Sequence, residues 1–265
     1  MSYSIYDISG WRLLLFSVII IIPIFIDRYL DARLLKSTFI SLARMAVQLI
    51  LIGFYLTYVF KLNNIFVNIL WILLMIAVAN FSVLNHTGLK IKKFFLINYF
   101  VLVFTVTVIQ CSLMLVFDPA TIFNSRYIIP LEGMIIGNIL RCNIIGIDRF
   151  FSEIRKRKDE YILYISLGAT PSEAMKSFLH SAYVTALKPQ LASLATIGLV
   201  SLPGLMTGQI LGGSEPVTAV KYQILIMIAI FTSASLSVFL SLYYSKRQVF
   251  DSLGRIREDI YKSYH

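Results

Sequence analysis

Polar and sulfur-bearing side chains interrupt several long apolar runs of this 265-residue chain. Such groups are costly inside a membrane, so they mark either a pathway for a polar cargo or structural pairing. In one run Arg44 and Gln48 lie one helical turn apart on the same face. Carboxylate, amide and thioether groups are also metal ligands, although the sequence does not specify which metal they would hold. The candidate pathway residues are Arg44, Gln48, Glu132, Met134, Asn138 and Met206.

Two of these residues have alternative interpretations that remain open at this stage. Arg44 is near enough to the inner end of its run to extend its guanidinium to the lipid headgroups, or to form a structural ion pair. Glu132 enters from the outer side and is placed either to accept a cation or to form a buried pair with Arg126 or Arg141.

The composition identifies the chain as an all-α integral membrane protein. Hydrophobic residues make up 58% of it and charged residues only 14%, with a mean hydropathy of +0.78. A soluble domain would carry about 25% charged residues. Seven runs approach the roughly 20 residues that a membrane-spanning helix needs. They cover residues 9–27, 37–60, 64–84, 94–117, 127–147, 189–211 and 217–245, within one transmembrane domain over residues 1–265.

The distribution of positive charge predicts the orientation. Most of the 24 Lys and Arg residues fall in the connections after the first, third, fifth and seventh runs. Because cytoplasmic connections are enriched in Lys and Arg, the N-terminus is predicted outside and the C-terminus in the cytoplasm. The net charge of +10 is thereby explained without a nucleic-acid partner. Cys111 and Cys142 lie inside apolar runs and are interpreted as small packing residues, with no disulfide between them.

The long cytoplasmic connection, residues 148–188, contains a helix stop followed at once by a helix start. Gly168 can take the left-handed conformation that ends a helix. Thr170 suits the N-cap, Pro171 the first helical position, and Glu173 completes a capping box. The segment is either an ordinary helical hairpin or, because apolar residues flank it outside the membrane, a protein contact.

Small residues recur at four-residue spacing in two runs. Gly133 and Gly137 form a G-x-x-x-G step, and Gly204, Gly208 and Gly212 form a ridge that predicts close helix packing or a subunit interface. Pro203 predicts a kink near the middle of the sixth run because it removes one backbone hydrogen bond.

The sequence lacks the common motifs for nucleotide binding, zinc proteases and serine hydrolases. It contains no G-x-x-x-x-G-K-[ST], no H-E-x-x-H and no G-x-S-x-G, and its three histidines are scattered. The chain is therefore predicted not to be an enzyme, and any ATP hydrolysis would belong to a partner.

Several of these segments resemble the FetB-type permease family. The most specific is residues 196–208, TIGLVSLPGLMTG, followed by Pro216 and KYQ at 221–223. Further similarity covers residues 44–53, 130–138 and SLGATP at 166–171. The connection also resembles the coupling loop of ABC importer permeases, but it departs from that pattern at two places. Ile162 stands where an acid is usual, and Leu179-His180-Ser181 replaces Leu-Pro.

The resemblance implies the permease subunit of an ABC transporter in the cell membrane, exporting iron. Two copies would pair and bind two copies of a cytoplasmic ATPase, which alone would hold ATP and Mg²⁺; the permease would bind no cofactor. The ATPase contact would lie on a coupling helix between the fifth and sixth spans, made by residues 172–179. The implied coupling residues are Gly168, Ala169, Thr170, Pro171, Glu173 and Met175.

Other functions remain open. A secondary carrier or channel would need no ATPase and predicts an inverted repeat, which is not visible. An intramembrane enzyme acting on lipid would need a convergent cluster of catalytic groups. Export of a nucleotide-sugar or another organic anion would make Arg44 more important than Glu132.

Overall fold

A computed structural model describes residues 8–249, and within this range all regular elements are helices. They are α1 (Gly10–Ser17), a 3-10 turn (Val18–Ile20), α2 (Ile21–Leu30), α3 (Leu35–Leu62), α4 (Ile65–His86), α5 (Ile91–Leu113), α6 (Pro119–Ile122), α7 (Ser125–Lys156), α8 (Lys158–Ser166), α9 (Pro171–Ala174), α10 (Lys176–Thr196), α11 (Gly204–Leu211) and α12 (Pro216–Val249).

Six helical stretches of the described residues are long and apolar enough to cross a membrane. They match six of the seven predicted runs, and the first includes α1, the 3-10 turn and α2 as Gly10–Leu30. Pro23 accounts for the 3-10 turn, because a proline at this position cannot donate the backbone hydrogen bond to Ile19 that an unbroken α-helix requires. The fold class is therefore confirmed as a multi-span helical protein.

The sixth predicted run, residues 189–211, is not one kinked helix but two helices with a break between them. The α10 helix begins at Lys176, well before residue 189, and ends at Thr196, and α11 begins only at Gly204. Pro203 sits at the N-cap of α11, and Gly198 has a positive φ of 87°. A left-handed glycine and a proline within six residues stop the helix, where the sequence alone suggested a bend.

The core lies among α4, α5, α7, α10 and α12 and forms two hydrophobic clusters. The inner cluster centres on Phe150 of α7 and Phe178 of α10, and the outer one on Ile76 of α4 and Ile135 of α7. By contrast, α1 and α2 contribute no buried residue and α3 contributes one, Val59. The three N-terminal helices therefore lie at the edge of a packed five-helix bundle.

Buried asparagines and serines join the helices of this bundle. Asn98 of α5 donates to Asn80 of α4 at 2.7 Å and accepts from Ser241 of α12 at 2.7 Å. Asn143 of α7 donates to Ser237 of α12, also at 2.7 Å. Asn80 thereby joins α4 to α5 through its side chain. Because buried amides need partners, these bonds fix the register of the bundle.

The predicted glycine packing is wrong for most of the glycines within one chain. A Cβ added to Gly137, Gly204 or Gly208 would meet no atom within 4 Å, and one on Gly212 would approach its own helix. Gly133 comes nearest to the prediction, since its added Cβ would lie 3.5 Å from Met75. The tight approach occurs instead at Gly146, where an added Cβ would lie 3.1 Å from Val238 and 3.2 Å from Ala186. The faces of Gly137, Gly204 and Gly208 are therefore open within one chain, and a subunit interface at them stays a prediction.

Candidate functional site

A groove of about 330 Å³ opens between α7, α10, α11 and α12, at the level of the broken helix. Residues of four separate helices and of the break itself line it. Non-helical backbone at membrane depth is tolerated where it is buried in protein or lines a cavity, because lipid cannot satisfy its polar groups. The broken helix and the groove are therefore parts of one structural feature.

The break is a short ordered turn. The Gly198 N–H donates to the Ser201 carbonyl at 2.9 Å, and the Val200 N–H donates to the Thr196 carbonyl at 2.9 Å. The side chain of Pro203 cannot cap α11, so the helix starts without a side-chain cap. The first backbone N–H groups of α11 belong to Gly204 and Leu205, which line the groove. The positive end of the α11 dipole therefore lies beside the cavity.

The register of α7 against α10 places polar groups at matching depths. The two helices run in opposite directions and meet where Gly146 faces Ala186. One turn further along each helix the groove is lined by Arg141 and Gln190, and the next turn brings Asn138 and Ser193. Two polar layers thus succeed each other along the groove.

Two residues that line the groove, Arg141 and Gln223, differ from their neighbours in charge and in hydrogen bonding. Among the described residues that line the groove, Arg141 carries the only formal charge. Gln223 of α12 is 6% exposed, and its Oε1 atom has no hydrogen-bond partner. A buried amide oxygen without a partner is costly, so Gln223 retains the capacity to accept one hydrogen bond.

The groove contains only part of the predicted pathway set. Met134 and Asn138 line it. Met206 is half-buried on α11 and is not among the lining residues. Arg44 and Gln48 lie exposed on α3 and do not line the groove. Whether these three residues meet the cargo stays a prediction.

Glu132 lies apart from the groove, in the packed face of α7. Its side chain is fully buried, and neither carboxylate oxygen has a hydrogen-bond partner. Arg126 and Arg141 are both exposed, and no ion pair among the described residues joins Glu132 to either of them. The alternative of a buried pair is therefore wrong.

Four polar lining residues were missed by the sequence reasoning, which concentrated on glycines and prolines of the sixth run. They are Gln190, Ser193, Ser201 and Gln223. A helical signal was present for two of them, since Gln190 and Ser193 follow Ala186 by four and seven residues and share its face. Gln223 is a lone amide inside the last span, which is itself a sign of function.

The connection between α7 and α10, residues 157–175, has the local structure that the sequence predicts. Gly168 has a φ of 92°, and the Ala169 N–H donates to the Tyr164 carbonyl at 3.0 Å, as in a Schellman motif. The capping box is complete, with the Thr170 N–H donating to Glu173 at 2.8 Å and the Glu173 N–H to the Thr170 hydroxyl at 3.3 Å. The Thr170 hydroxyl also donates to the Glu173 carboxylate at 2.7 Å. This hydrogen bond and the one from the Thr170 N–H lower the pKa of the Glu173 carboxyl from its ordinary value.

Residues 172–179 are not a free helix that could make the whole partner contact. The inner core buries Ala174, Met175 and Phe178. The short helix α9 ends at Ala174, and α10 begins two residues later at Lys176. Met175, at 1% exposed, therefore anchors the segment and cannot touch a partner in this conformation. The exposed apolar side chains lie in and after α8, including Leu163 and Leu167.

Charged contacts hold this segment against α7. Arg157 forms an ion pair with Glu160 at 2.6 Å, and its guanidinium lies 5.1 Å from the centre of the Phe178 ring. The hydrogen bond to Glu160 raises the pKa of Arg157. The buried Glu153 carboxylate accepts from Ser181 at 3.0 Å and pairs with Arg149 at 2.6 Å. Arg157, which directly follows α7, thus contacts both Glu160 and Phe178, and Ser181 of α10 is bonded to Glu153 of α7.

Six spans, a broken helix and a polar groove define a multi-pass membrane protein with an internal site. Comparison with known proteins then identifies the family. The model of the family described as "Uncharacterised protein family (UPF0014)" matches residues 10–250. The chain belongs to this family, and the FetB-type resemblance is confirmed.

Three relatives indicate the range of the family. The UPF0014 membrane protein YjkA of Bacillus subtilis is 36% identical over 83% of this chain and 87% of its own length. The probable iron export permease protein FetB of Escherichia coli is 29% identical over 93% of this chain and 94% of its own. The protein ALUMINUM SENSITIVE 3 of Arabidopsis thaliana is 28% identical over 93% and 89%. No solved structure matches this chain.

Proposed function

We propose that this protein is the membrane permease subunit of an ABC transporter that exports iron or a related metal, driven by a separate cytoplasmic ATPase. The substrate class rests on similarity to FetB, whose name is that of a probable iron export permease. The observation that supports the coupling is the continuity of α10, which begins beside the cytoplasmic capping box and ends at the groove.

The broken helix supplies the seventh crossing. We propose that α10 rises from the cytoplasm into the membrane and that α11 completes the passage after the break. Together with the six long spans this arrangement keeps the N-terminus outside and the C-terminus inside, as the distribution of Lys and Arg predicts. Discontinuous helices of this kind form cargo sites in other transporters, because their free helix ends point at the cargo.

Mechanical coupling follows from the length of α10. Its 21 residues span about 31 Å, so this one helix reaches from the capping box to the groove. An ATPase that displaces residues 163–173 would move α10 as a lever, because Met175 and Phe178 fix its first turns to the core. The far end of the lever is the break at residues 197–203, so the groove would widen or close as the ATPases cycle.

Two copies of the chain would form the complete pathway. The open faces of Gly137, Gly204 and Gly208 and the exposed Arg44 and Gln48 are compatible with a second subunit, because small residues permit close approach. The alternative functions differ in a measurable way. A secondary carrier would transport without ATP, and an exporter of another organic anion would leave cellular iron unchanged.

The coupling proposal is tested by Gly168→Val and Leu167→Asp in the full-length chain. Valine at a φ of 92° strains the turn, and aspartate places a charge on a side chain that is 75% exposed. Both variants are expected to lose co-purification of the ATPase and ATP-dependent transport while remaining folded. His180→Asp, at an exposed position near the start of α10 and outside the groove, is the control for an unspecific effect of charge. Unchanged ATPase binding in both test variants would contradict the proposal.

A further inference from the structure

We propose that the groove recognises an oxyanion, so that the metal is carried as an anionic carboxylate or phosphate complex and not as a bare cation. This inference rests on the proposed function in one respect, namely that the cargo contains a metal. The recognition of the anion itself is argued from the groove alone.

The charge of the groove is the first step. Arg141 lines it from α7, is exposed there, and forms no ion pair among the described residues. An arginine presents several N–H donors in a planar fork that matches the two oxygens of a carboxylate or phosphate. The same charge repels a free dication, and the low dielectric of the membrane strengthens both effects.

The neutral groups beside Arg141 fit the rest of such a cargo. Gln190 lies at the depth of Arg141, and Asn138 and Ser193 follow one turn further. The Asn138 amide already donates to the Met134 carbonyl at 2.9 Å, which fixes its orientation. The unpaired and 94% buried Gln223 amide oxygen accepts from a hydroxyl group or from a metal-bound water molecule. Amide and hydroxyl groups therefore lie around Arg141, the one positively charged group among the described lining residues.

The broken helix adds a second attraction for negative charge. The first N–H groups of α11 have no side-chain cap and lie at residues that line the groove. Gly204 leaves open space around its backbone, so a ligand oxygen can approach these N–H groups. Arg141 on one wall and the start of α11 on another thus provide two positive ends for one anion.

Sulfur atoms do not favour a bare cation as the cargo. The thioethers of Met134 and Met227 and the thiol of Cys142 line the groove. Met134 and Cys142 are two helical turns apart, which is about 12 Å and too far for one coordination sphere. Both methionines also pack against the outer hydrophobic cluster. These residues therefore contribute apolar contact surface.

Binding to the full-length chain in lipid nanodiscs, without an ATPase, tests the inference. The probes are ferric citrate, citrate alone, orthophosphate, and Fe²⁺ alone under anoxic conditions. Wild-type protein is expected to bind ferric citrate, to release it when citrate or orthophosphate is added, and to bind Fe²⁺ alone at least about tenfold more weakly. The stronger of the two competitors identifies carboxylate or phosphate as the preferred oxyanion.

Variants then identify the residue responsible. Arg141→Gln is expected to weaken ferric citrate binding by about 10- to 100-fold, because a charge-assisted hydrogen bond is lost. Arg141→Lys should recover part of it, since the charge remains without the fork. Arg126→Gln, at the outer end of the same helix and outside the groove, should bind as wild type.

The inference is overturned if wild-type protein binds neither anion, if Fe²⁺ alone binds as tightly as the citrate complex, or if Arg141→Gln binds like wild type. Loss of folding in Arg141→Gln would leave the wild-type competition and Arg141→Lys to decide. The proposed function fails separately, when a reconstituted ATPase neither binds the permease nor drives transport.

Discussion

On the packed face of α7, Ser125 and Asn143 donate to α4 and α12, whereas on the groove face Asn138 donates only into its own helix at Met134. The two faces belong to the same 32-residue helix. Polar groups on the packed face join neighbouring helices, although the Oδ1 atom of Asn143 has no hydrogen-bond partner. These bonds between helices make the bundle rigid. Polar groups on the groove face remain available to a cargo. The difference shows how one helix can be both scaffold and binding wall.

Glu132 differs from Ser125 and Asn143 on the packed face, because its side chain makes no hydrogen bond to another helix. Both of its oxygens lack partners although the side chain is fully buried. An unpaired carboxylate in a core destabilises a protein, so Glu132 does not contribute to the stability of the packed face.

The largest expected effect comes from filling the groove. Ser193→Trp would place a large ring on the wall opposite Asn138, and transport is expected to fall to background because the cargo and the ring cannot share the space. Transport of metal by vesicles that contain the permease and its ATPase measures this. Leu191→Trp, two residues away and outside the groove, should transport normally. Equal activity of both variants would remove the groove from the pathway.

The next effect separates the two faces by stability. Asn143→Ala breaks the bond to Ser237 and is expected to lower the free energy of unfolding by about 1 kcal/mol. Asn138→Ala should cost clearly less, because its side chain bonds only to its own helix, but it should reduce transport. Thermal unfolding in detergent and vesicle transport give the two readouts. The reverse order of stabilities would show that the faces are not divided in this way.

A gain in stability is expected at Glu132. Glu132→Leu replaces an unpaired buried carboxylate by an apolar side chain, and the free energy of unfolding should rise by about 1 kcal/mol. Glu132→Gln is the matched variant, because glutamine keeps the size of the side chain and removes its ionisable group. Transport decides the role of the residue, because retained transport in both variants would reject the prediction that Glu132 belongs to the pathway.

The smallest effect concerns pH at the capping box of Thr170 and Glu173. Because the hydrogen bonds from Thr170 lower the pKa of Glu173, this carboxylate contributes stability above its ordinary pKa of 4.5. The contribution is lost as the pH falls below 4.5 through the lower folded-state pKa. The protection factors of the Thr170 and Glu173 amides, which correct for the intrinsic pH dependence of hydrogen exchange, should therefore fall in wild-type protein as the pH drops below 4.5. The acid step should be absent in Glu173→Gln, and an identical step in both proteins would contradict the assignment.

The sequence was most informative where local chemistry decides the structure. Gly168, Thr170 and Glu173 specify their turn and cap by their own backbone preferences and side-chain hydrogen bonds, so the capping box was predictable. Six spans followed from length and hydropathy for the same reason.

Tertiary packing decided what the sequence could not show. Gly146, which makes the closest helix contact, lies outside the G-x-x-x-G pattern, and Gly137, which belongs to it, faces open space. The break at residues 197–203 needed the positive φ of Gly198 in addition to the visible Pro203. Gln190 and Gln223 became site residues only when the register of α7, α10 and α12 was known.

We propose that ATP hydrolysis by the partner ATPase drives metal through the groove. The test uses inside-out vesicles that contain the permease and its ATPase, with ferric citrate in the external buffer, and measures iron accumulation with and without ATP. We expect accumulation that requires ATP, disappears in Gly168→Val and in Ser193→Trp, and persists in Leu191→Trp. Accumulation without ATP, or in both disabling variants, would show that the groove is not coupled to the ATPase.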